Sequence, residues 1–590
     1  MNRIYRLVWS YATRVWVAVA ESSRGRGKGA SRKLLASAIL LNAVAAHAAP
    51  EGAQVVSGAG SVSKSGTATT INQGTQQISL SWQSFNVAAN ETVNFVQPSA
   101  SAIAVNRILD SNGSQIMGRL NANGQVFLIN PNGVLFGAGA QVNVGGLVAS
   151  TLVLNDASLN SNSRAFGGNG AASGSASIVN QGTINASGTG GYVALLGKSV
   201  SNQGSISAPQ GTVALAAGSA VTLTFQNNSL LTLQIDQSVL NNLAENGGVI
   251  RADGGLVLMS AGAKDALLAS VVNNTGVIEA RTVENQAGRI VLLGGMAAGS
   301  VKVGGTLDAS APNGGNGGLI ETSAARVTVA DTARISTAAS SGRYGTWLID
   351  PTDFTVAAAG GDISGTALSA NLETSNVVLQ SDNGTTAGAG NLNVNDAVSW
   401  GANTALTLTA SNDVNVNANI SATGANAALL ISPGTGHFNL GKGAAITLSG
   451  ATPSLAIAGV DYTVINSLGA ADSMTATDLQ GMQGGLTLHY ALGSNIDASA
   501  TAGWNSGAGF SPAGYVSVGA TTFTGSFDGL GHTISNLSIY RPGQADVGLF
   551  GAAANGAVIR NVGLLGGHVV GGAGTGGLLG TAITASISNS

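Results

Sequence analysis

The chain has 590 residues, of which 86 are Gly, 10 are Pro and none is Cys; 44% are hydrophobic and 9% charged. Average proteins are about 25% charged and about 7% Gly, so an ordinary globule fits poorly, while the apolar share is too high for a disordered solvating chain. Eight of the 24 basic residues lie in the first 33 positions; removing residues 1–48 leaves 16 basic against 26 acidic side chains, a balance of −10 that gives no electrostatic reason to bind nucleic acid. The lack of Cys excludes a disulfide scaffold and a thiolate metal site. It also suits a chain that crosses membranes unfolded, since a premature disulfide would lock a loop. An apolar chain rich in Gly, Asn, Ser and Thr can pack if many short strands share one long core with small polar residues in the turns. The composition therefore predicts an all-β solenoid.

The first 48 residues read as an address. Residues 24–33 form a basic run, and residues 34–46 (LLASAILLNAVAA) form an apolar run of 13. Thirteen residues are too few to span a bilayer core of about 30 Å as a helix. Ala46 and Ala48 flank His47 and supply the small residues of a cleavage site, which predicts signal removal between Ala48 and Ala49. Upstream, residues 1–28 (MNRIYRLVWSYATRVWVAVAESSRGRGK) set Arg3, Arg6 and Arg14 among Tyr5, Trp9, Tyr11 and Trp16. This segment resembles the extended signal-peptide region of very large Gram-negative exoproteins, including filamentous haemagglutinin-like proteins and autotransporters. The resemblance implies export by the Sec machinery into the periplasm. No later segment holds about 18 consecutive apolar residues, so no membrane span is expected.

From Ala49 onward short alternating strands are predicted. Residues 78–82 (ISLSW) and 93–96 (VNFV) have the period-2 pattern of strands with one buried face. The apolar run 126–129 leads into NPNG at 130–133, where Pro131 presets φ and Gly133 can take φ > 0; strand, tight turn, strand is the local reading. The whole stretch 93–151 (VNFVQPSASAIAVNRILDSNGSQIMGRLNANGQVFLINPNGVLFGAGAQVNVGGLVAST) is similar to the two-partner-secretion, or haemagglutination-activity, domain of filamentous haemagglutinin-like proteins. The matching motif residues are Asn106, Arg107, Asn123, Gly124, Asn130, Pro131, Asn132 and Gly133. Residues 97–100 (QPSA) depart from an Asn-Pro-Asn-Leu motif carried by some members, so no recognition role is assigned to that turn. The resemblance covers residues 49–294. It implies a right-handed parallel β-helix and a transport role. The unfolded segment would be captured in the periplasm by a partner outer-membrane transporter barrel, with Asn106, Arg107, Asn130, Pro131, Asn132 and Gly133 as recognition residues. A purely structural reading gives these residues turn and capping duties only.

A loose repeat follows. Residues 178–186 (IVNQGTINA) recur 22 residues later as 200–208 (VSNQGSISA), again as 272–280 (VNNTGVIEA), and in part as 305–309 (GTLDA). Apolar strands lie between them at 191–197, 211–217 and 288–294. Each unit reads as one coil that cannot bury its apolar face alone but does so when stacked, with Asn side chains able to form ladders inside the column. Residues 341–356 (SGRYGTWLIDPTDFTV) break this rhythm and mark a module boundary. Asp350 and Asp353 are read there as turn residues rather than an acid–base pair, because no His or Lys cluster accompanies them. From Phe523 the text (FTGSFDGLGHTISNLSI) and the phrases 548–551 (GLFG) and 577–580 (GLLG), 29 residues apart, resemble GLUG-type repeats of bacterial surface proteins. The expected division is a signal at 1–48, a secretion domain at 49–294, further β-helix at 295–520 and GLUG-type repeats at 521–590.

Catalytic signatures are sparse. There is no HExxH, and His437, His489, His532 and His568 are scattered, so no metal site is expected. Residues 571–577 (GGAGTGG) lack the Lys and the strand–helix setting of a phosphate loop. Residues 313–318 (NGGNGG) lack the Asp of a calcium-binding repeat. No enzyme activity and no cofactor are expected. Two function classes remain: a secreted or surface-displayed adhesin binding host-cell or bacterial surface ligands, or the delivery stalk of a toxin or cytolysin whose active module lies beyond residue 590.

Overall fold

A computed structural model describes residues 5–10, 15–20, 49–167, 176–188, 190–227, 229–238, 241–262, 270–381, 388–514 and 522–590. It divides into two units, residues 1–47 and residues 48–590. In the first, strands Tyr5–Ser10 and Val15–Ala20 pair antiparallel with Trp9 opposite Trp16. The apolar signal run and Ala48 lie outside the described residues.

The second unit is a parallel β-helix. One coil runs through Thr183–Ala186, Tyr192–Gly197 and Ser199–Asn202, and each of these strands pairs in parallel with the matching strand of the next coil. Three faces result. The long face runs in register from Gln77–Trp82 to Ser586–Ser588, apart from one antiparallel step between Ser454–Ile457 and Val460–Ile465. The second face is an 11-stranded sheet from Gly60–Ser65 to Arg334–Ser336, and the third an 8-stranded sheet from Ser114–Ile116 to Arg326–Val329. Past residue 336 the long face continues, while its companions become shorter sheets and the helix Gly365–Leu372, which Ser364 caps by accepting from Ala367 N–H at 3.0 Å.

The sequence repeat is the structural repeat. Ile178 sits beside Val200, Asn180 beside Asn202 and Ile184 beside Ile206. The same phrase also occurs at 244–252 (AENGGVIRA), which the reading of the sequence passed over; Asn246 stacks between Asn202 and Asn274. The Gly of the phrase has a steric cause. A Cβ at Gly204 would lie 2.1 Å from the Gly182 carbonyl oxygen, at Gly248 2.1 Å from that of Gly204, and at Gly276 2.1 Å from that of Gly248. The corner turns so tightly onto the coil below that a side chain there has no room.

At its N-terminal end the helix is capped rather than left open. Gln54–Ser57 pairs antiparallel with Gln77–Trp82, and Gly60–Ser65 antiparallel with Ala68–Gln73. Reversing direction there keeps the first parallel edges from templating another chain. A second sheet lies outside the helix: Val153–Leu154, Ser163–Gly167, Ala220–Gln226 and Ser229–Gln237, all antiparallel. Its Phe166, Val221, Leu223 and Phe225 pack on the outward side chains Val105, Phe127, Val148, Tyr192 and Ala194 of the long face. The strands beneath this cover are therefore buried on both sides and, after a polar first residue, read as unbroken apolar runs, as in Gln125–Ile129 and Thr212–Ala217. Beyond it, strands such as Thr346–Asp350 and Asn376–Gln380 alternate between buried and partly exposed positions.

The candidate secretion-motif corner

The recognition candidates come together at one corner of the N-terminal coils. Strand Ile103–Ile108 pairs with Gln125–Ile129, which sets Arg107 beside Ile129, and the NPNG turn follows directly. Asn106 points into the helix at an otherwise apolar position and is fully buried. Its Oδ1 accepts from the Trp82 indole N–H at 2.9 Å, and its amide donates to the carbonyls of Ala104 at 3.1 Å and Phe127 at 3.3 Å. Every polar atom of this buried amide is thus partnered, which is the condition for keeping one in a core. Arg107 faces the opposite way and joins Ser79 Oγ and the carboxylate of Asp156.

The turn is built on the loop of the preceding coil. Asn130 is fully buried; its Oδ1 accepts from Asn132 N–H at 2.9 Å, and its amide donates to the Asn112 carbonyl at 3.1 Å and Ser114 Oγ at 3.0 Å. The Asn132 amide donates to the Asp110 carbonyl at 2.8 Å. Pro131 is half-buried and offers no donor, and Gly133 sits at φ +111°. Asn123 and Gly124 lie at a different corner. There the Asn123 side chain brackets Gln97, accepting from its N–H and donating to its carbonyl, each at 2.8 Å. Ala49 is described, at φ +95°, but its neighbour Ala48 is not.

Several organising residues escaped the sequence reading. Gln97, in the turn that departs from the family motif, is buried. Its amide donates to Gln73 Oε1 at 3.1 Å and to the carbonyls of Ala102 and Gln125, while its Oε1 accepts from Gly124 N–H at 2.9 Å. Gln125 Oε1 in turn accepts from the Tyr192 hydroxyl at 2.7 Å, and burial pushes that phenol well above its usual range. The available signal was the recurrence of Gln at 73, 97 and 125, close to one coil apart. Arg164 is buried under the cover sheet, its guanidinium 4.2 Å from the Phe225 ring centroid and 5.8 Å from that of Phe127. Its Nε donates to the Leu159 carbonyl at 3.2 Å, Nη1 has no hydrogen-bond partner, and desolvation lowers its pKa.

The expected Asn ladder is present. Asn180 donates to Asn202 at 2.8 Å, Asn202 to Asn246 at 2.7 Å and Asn246 to Asn274 at 2.8 Å, with all four side chains buried. A second ladder, Asn94–Asn121–Asn143–Asn185, runs along the solvent side of the second face. Asp353 is an exposed loop brace, accepting from the N–H groups of Ala389 and Asn391. Among the described residues no group of three or more His, Cys, Asp or Glu could hold a metal, and no helix is long and apolar enough to cross a membrane.

Residues 46–309 match the TPS secretion domain, and residues 1–50 match the Extended Signal Peptide of Type V secretion system. The chain is a two-partner-secretion exoprotein. Two relatives from Haemophilus influenzae are each called heme/hemopexin-binding protein. One is 37% identical over 252 residues, covering 41% of this chain and 27% of its own length; the other is 34% identical over 246 residues, covering 38% and 26%. The exoprotein thus spans about a quarter of the length of these curated relatives. Among solved structures, the HMW1 secretion domain from Haemophilus influenzae matches with a TM-score of 0.49 at 23% identity, over 69% of this chain and all of that one. With its signal and secretion domain, the exoprotein is secreted or surface-exposed by way of the periplasm of a Gram-negative cell.

Proposed function

We propose that the N-terminal coils are an export signal read by a partner outer-membrane barrel after Sec delivery, and that the exported solenoid is a non-catalytic adhesin toward host cells or other bacteria. One observation carries the export half. Asn106 and Asn130 are fully buried in the folded coil, with their amides turned inward on partners. A transporter can therefore read them only before the coil closes, and closure itself hides the signal. Strand addition is a suitable capture mode, because main-chain hydrogen bonds need little side-chain information. Each coil that folds outside then offers open edges and apolar surface to the next, which hinders backsliding. In this scheme the signal is cut between Ala48 and Ala49, residues 49–294 are the recognised module, residues 295–520 extend the stalk, and residues 521–590 continue it as GLUG-type repeats.

The test co-expresses the partner barrel with Asn130→Ala/Asn132→Ala and with a deletion of residues 106–137, then fractionates the cells. Precursor held in the periplasm is the expected result. Release of the double variant at the wild-type rate would leave these residues only their turn duties. Adherence of cells displaying the protein, against cells lacking the barrel, tests the adhesin half separately. The names of the two Haemophilus relatives favour a second reading, binding of haem or haemopexin. Haemin titration and haemopexin capture by the purified protein would test it, and no binding in either assay would dismiss it.

A further inference from the structure

The phrase at residues 341–356, which breaks the repeat, builds a concavity that the export function does not use. Its Arg343 and Tyr344 line a half-open hollow of about 670 Å³ across three successive corners, and Asn376, Gly401, Ala402 and Asn403 complete the lining. That volume lies within the range of small-ligand sites. The wall is rigid because its amides brace the backbone. Asn376 donates to the carbonyls of Tyr344 at 3.0 Å and Gly345 at 2.9 Å and accepts from Ala405 N–H at 3.0 Å. Asn403 Oδ1 accepts from Asn426 N–H at 2.9 Å. Gly401 adds no side chain to the lining, and its N–H donates to Glu373 Oε1 at 2.6 Å.

Three groups at this hollow remain unspent among the described residues: the Arg343 guanidinium, the Tyr344 hydroxyl and the Asn403 Nδ2 make no hydrogen bond or ion pair, and Glu373 does not pair with Arg343. An aromatic ring, a free amide donor and an exposed, unneutralised guanidinium around one hollow suit a hydroxyl-rich ring that carries an anionic group. We propose that this hollow binds a carboxylate-bearing saccharide, with the Tyr344 ring against the sugar, Asn403 Nδ2 donating to a hydroxyl and Arg343 pairing with the carboxylate. A single arginine on an acidic chain does not make a nucleic-acid track.

The proposal rests on the adhesin reading and gives it a ligand class. The test titrates sialyllactose, and lactose as its neutral counterpart, into purified full-length protein and into three variants. Arg343→Gln removes the charge. Asn403→Asp keeps the acceptor for Asn426 while placing a negative charge at the wall. Tyr344→Leu removes the ring. The wild type should prefer sialyllactose, and Arg343→Gln should weaken it roughly ten- to hundredfold, the value of one charge-assisted bond, while leaving lactose unchanged; Asn403→Asp, which also removes the Nδ2 donor, should weaken both sugars and sialyllactose the more. Tyr344→Leu should weaken both sugars. No binding of either sugar by the wild type, or equal binding by all four proteins, overturns the site. Thermal melts that overlay the wild type show that a variant's loss is local; should Tyr344→Leu melt early, the two charge variants decide alone. Sugar binding without cell adherence would sink the adhesin reading and keep the site, and adherence untouched by Arg343→Gln would do the reverse.

Discussion

Asn202→Ala isolates the contribution of the inner ladder, because the outer ladder offers the same chemistry in water. Asn202 is fully buried; it accepts from Asn180 at 2.8 Å and donates to Asn246 at 2.7 Å. Truncation leaves Asn246 Oδ1 without a donor and Asn180 Nδ2 with only long contacts to the Gly182 and Ser205 carbonyls, at 3.3 and 3.4 Å. An orphaned buried polar group costs about 1–3 kcal/mol, so two groups, one of them partly compensated, give an expected loss of about 2–4 kcal/mol. Asn143→Ala breaks bonds of 3.3 and 3.2 Å in the outer ladder, where water replaces them, and should cost under about 1 kcal/mol. Because coils interact mainly with their neighbours, the loss should be local. Native-state hydrogen exchange followed by mass spectrometry on peptides from the flanking coils reads it directly. Equal loss of protection in the two variants, or a larger one for Asn143→Ala, would refute the argument that burial sets the value of the ladder.

Replacing Arg164 by Met should stabilise the cover sheet, since a desolvated cation with an unpartnered Nη1 gives way to an apolar chain between two rings; slower exchange at residues 220–237 checks this, and faster exchange contradicts it. His532 Nε2 donates to the Ile446 carbonyl at 2.9 Å, and burial lowers its pKa. Its contribution is thus present above the ordinary value of 6.5 and lost as pH falls through the lower folded value, so urea melts should weaken on acidification in the wild type and less in His532→Gln. Asp362 has the opposite sign. Burial raises its pKa despite the bond from Thr355 N–H, so it costs stability as pH rises through the folded value. Asp362→Asn, which keeps that acceptor, should therefore be more stable than the wild type at pH 7 and indistinguishable below the ordinary carboxylate range, as urea melts at the two pH values would show.

Much of the helix was legible because each coil is written next to its own partner. The phrase with Asn180, Gly182 and Ile184 repeats after one coil, so reading the period amounts to reading the register. Its residue types follow from local causes: Asn inward where a ladder forms, Gly where the coil below leaves no room for a Cβ. The 29-residue spacing of the C-terminal glycine phrases likewise sets Phe550 beside Leu579. At the motif corner the sequence identified Asn130 and Gly133 as turn residues, since NPNG encodes its own geometry. It did not reveal that the Asn130 amide is held by Asn112 and Ser114 of the coil below, or that the Gln97 side chain bonds to Gln73, to Ala102 and to the Gly124–Gln125 pair.

Whatever lies outside the helix was decided by tertiary structure alone. The alternation of residues 220–226 is ordinary strand text, and nothing local says that Phe166 pairs with Val221 and that both fold back over the long face. The unbroken apolar runs at 126–129 and 192–196 require some cover, but their residues do not name the segment that supplies it. Arg164 shows the limit most clearly, a charged residue in a strand that the sequence would place in water and that the cover buries between two rings. The sequence by itself determined the repeat, the corners and the address, because stacking interactions act between neighbouring coils of nearly fixed length. The cover sheet and the hollow beside Tyr344 depend on segments whose spacing follows no period, so only the folded chain could place them.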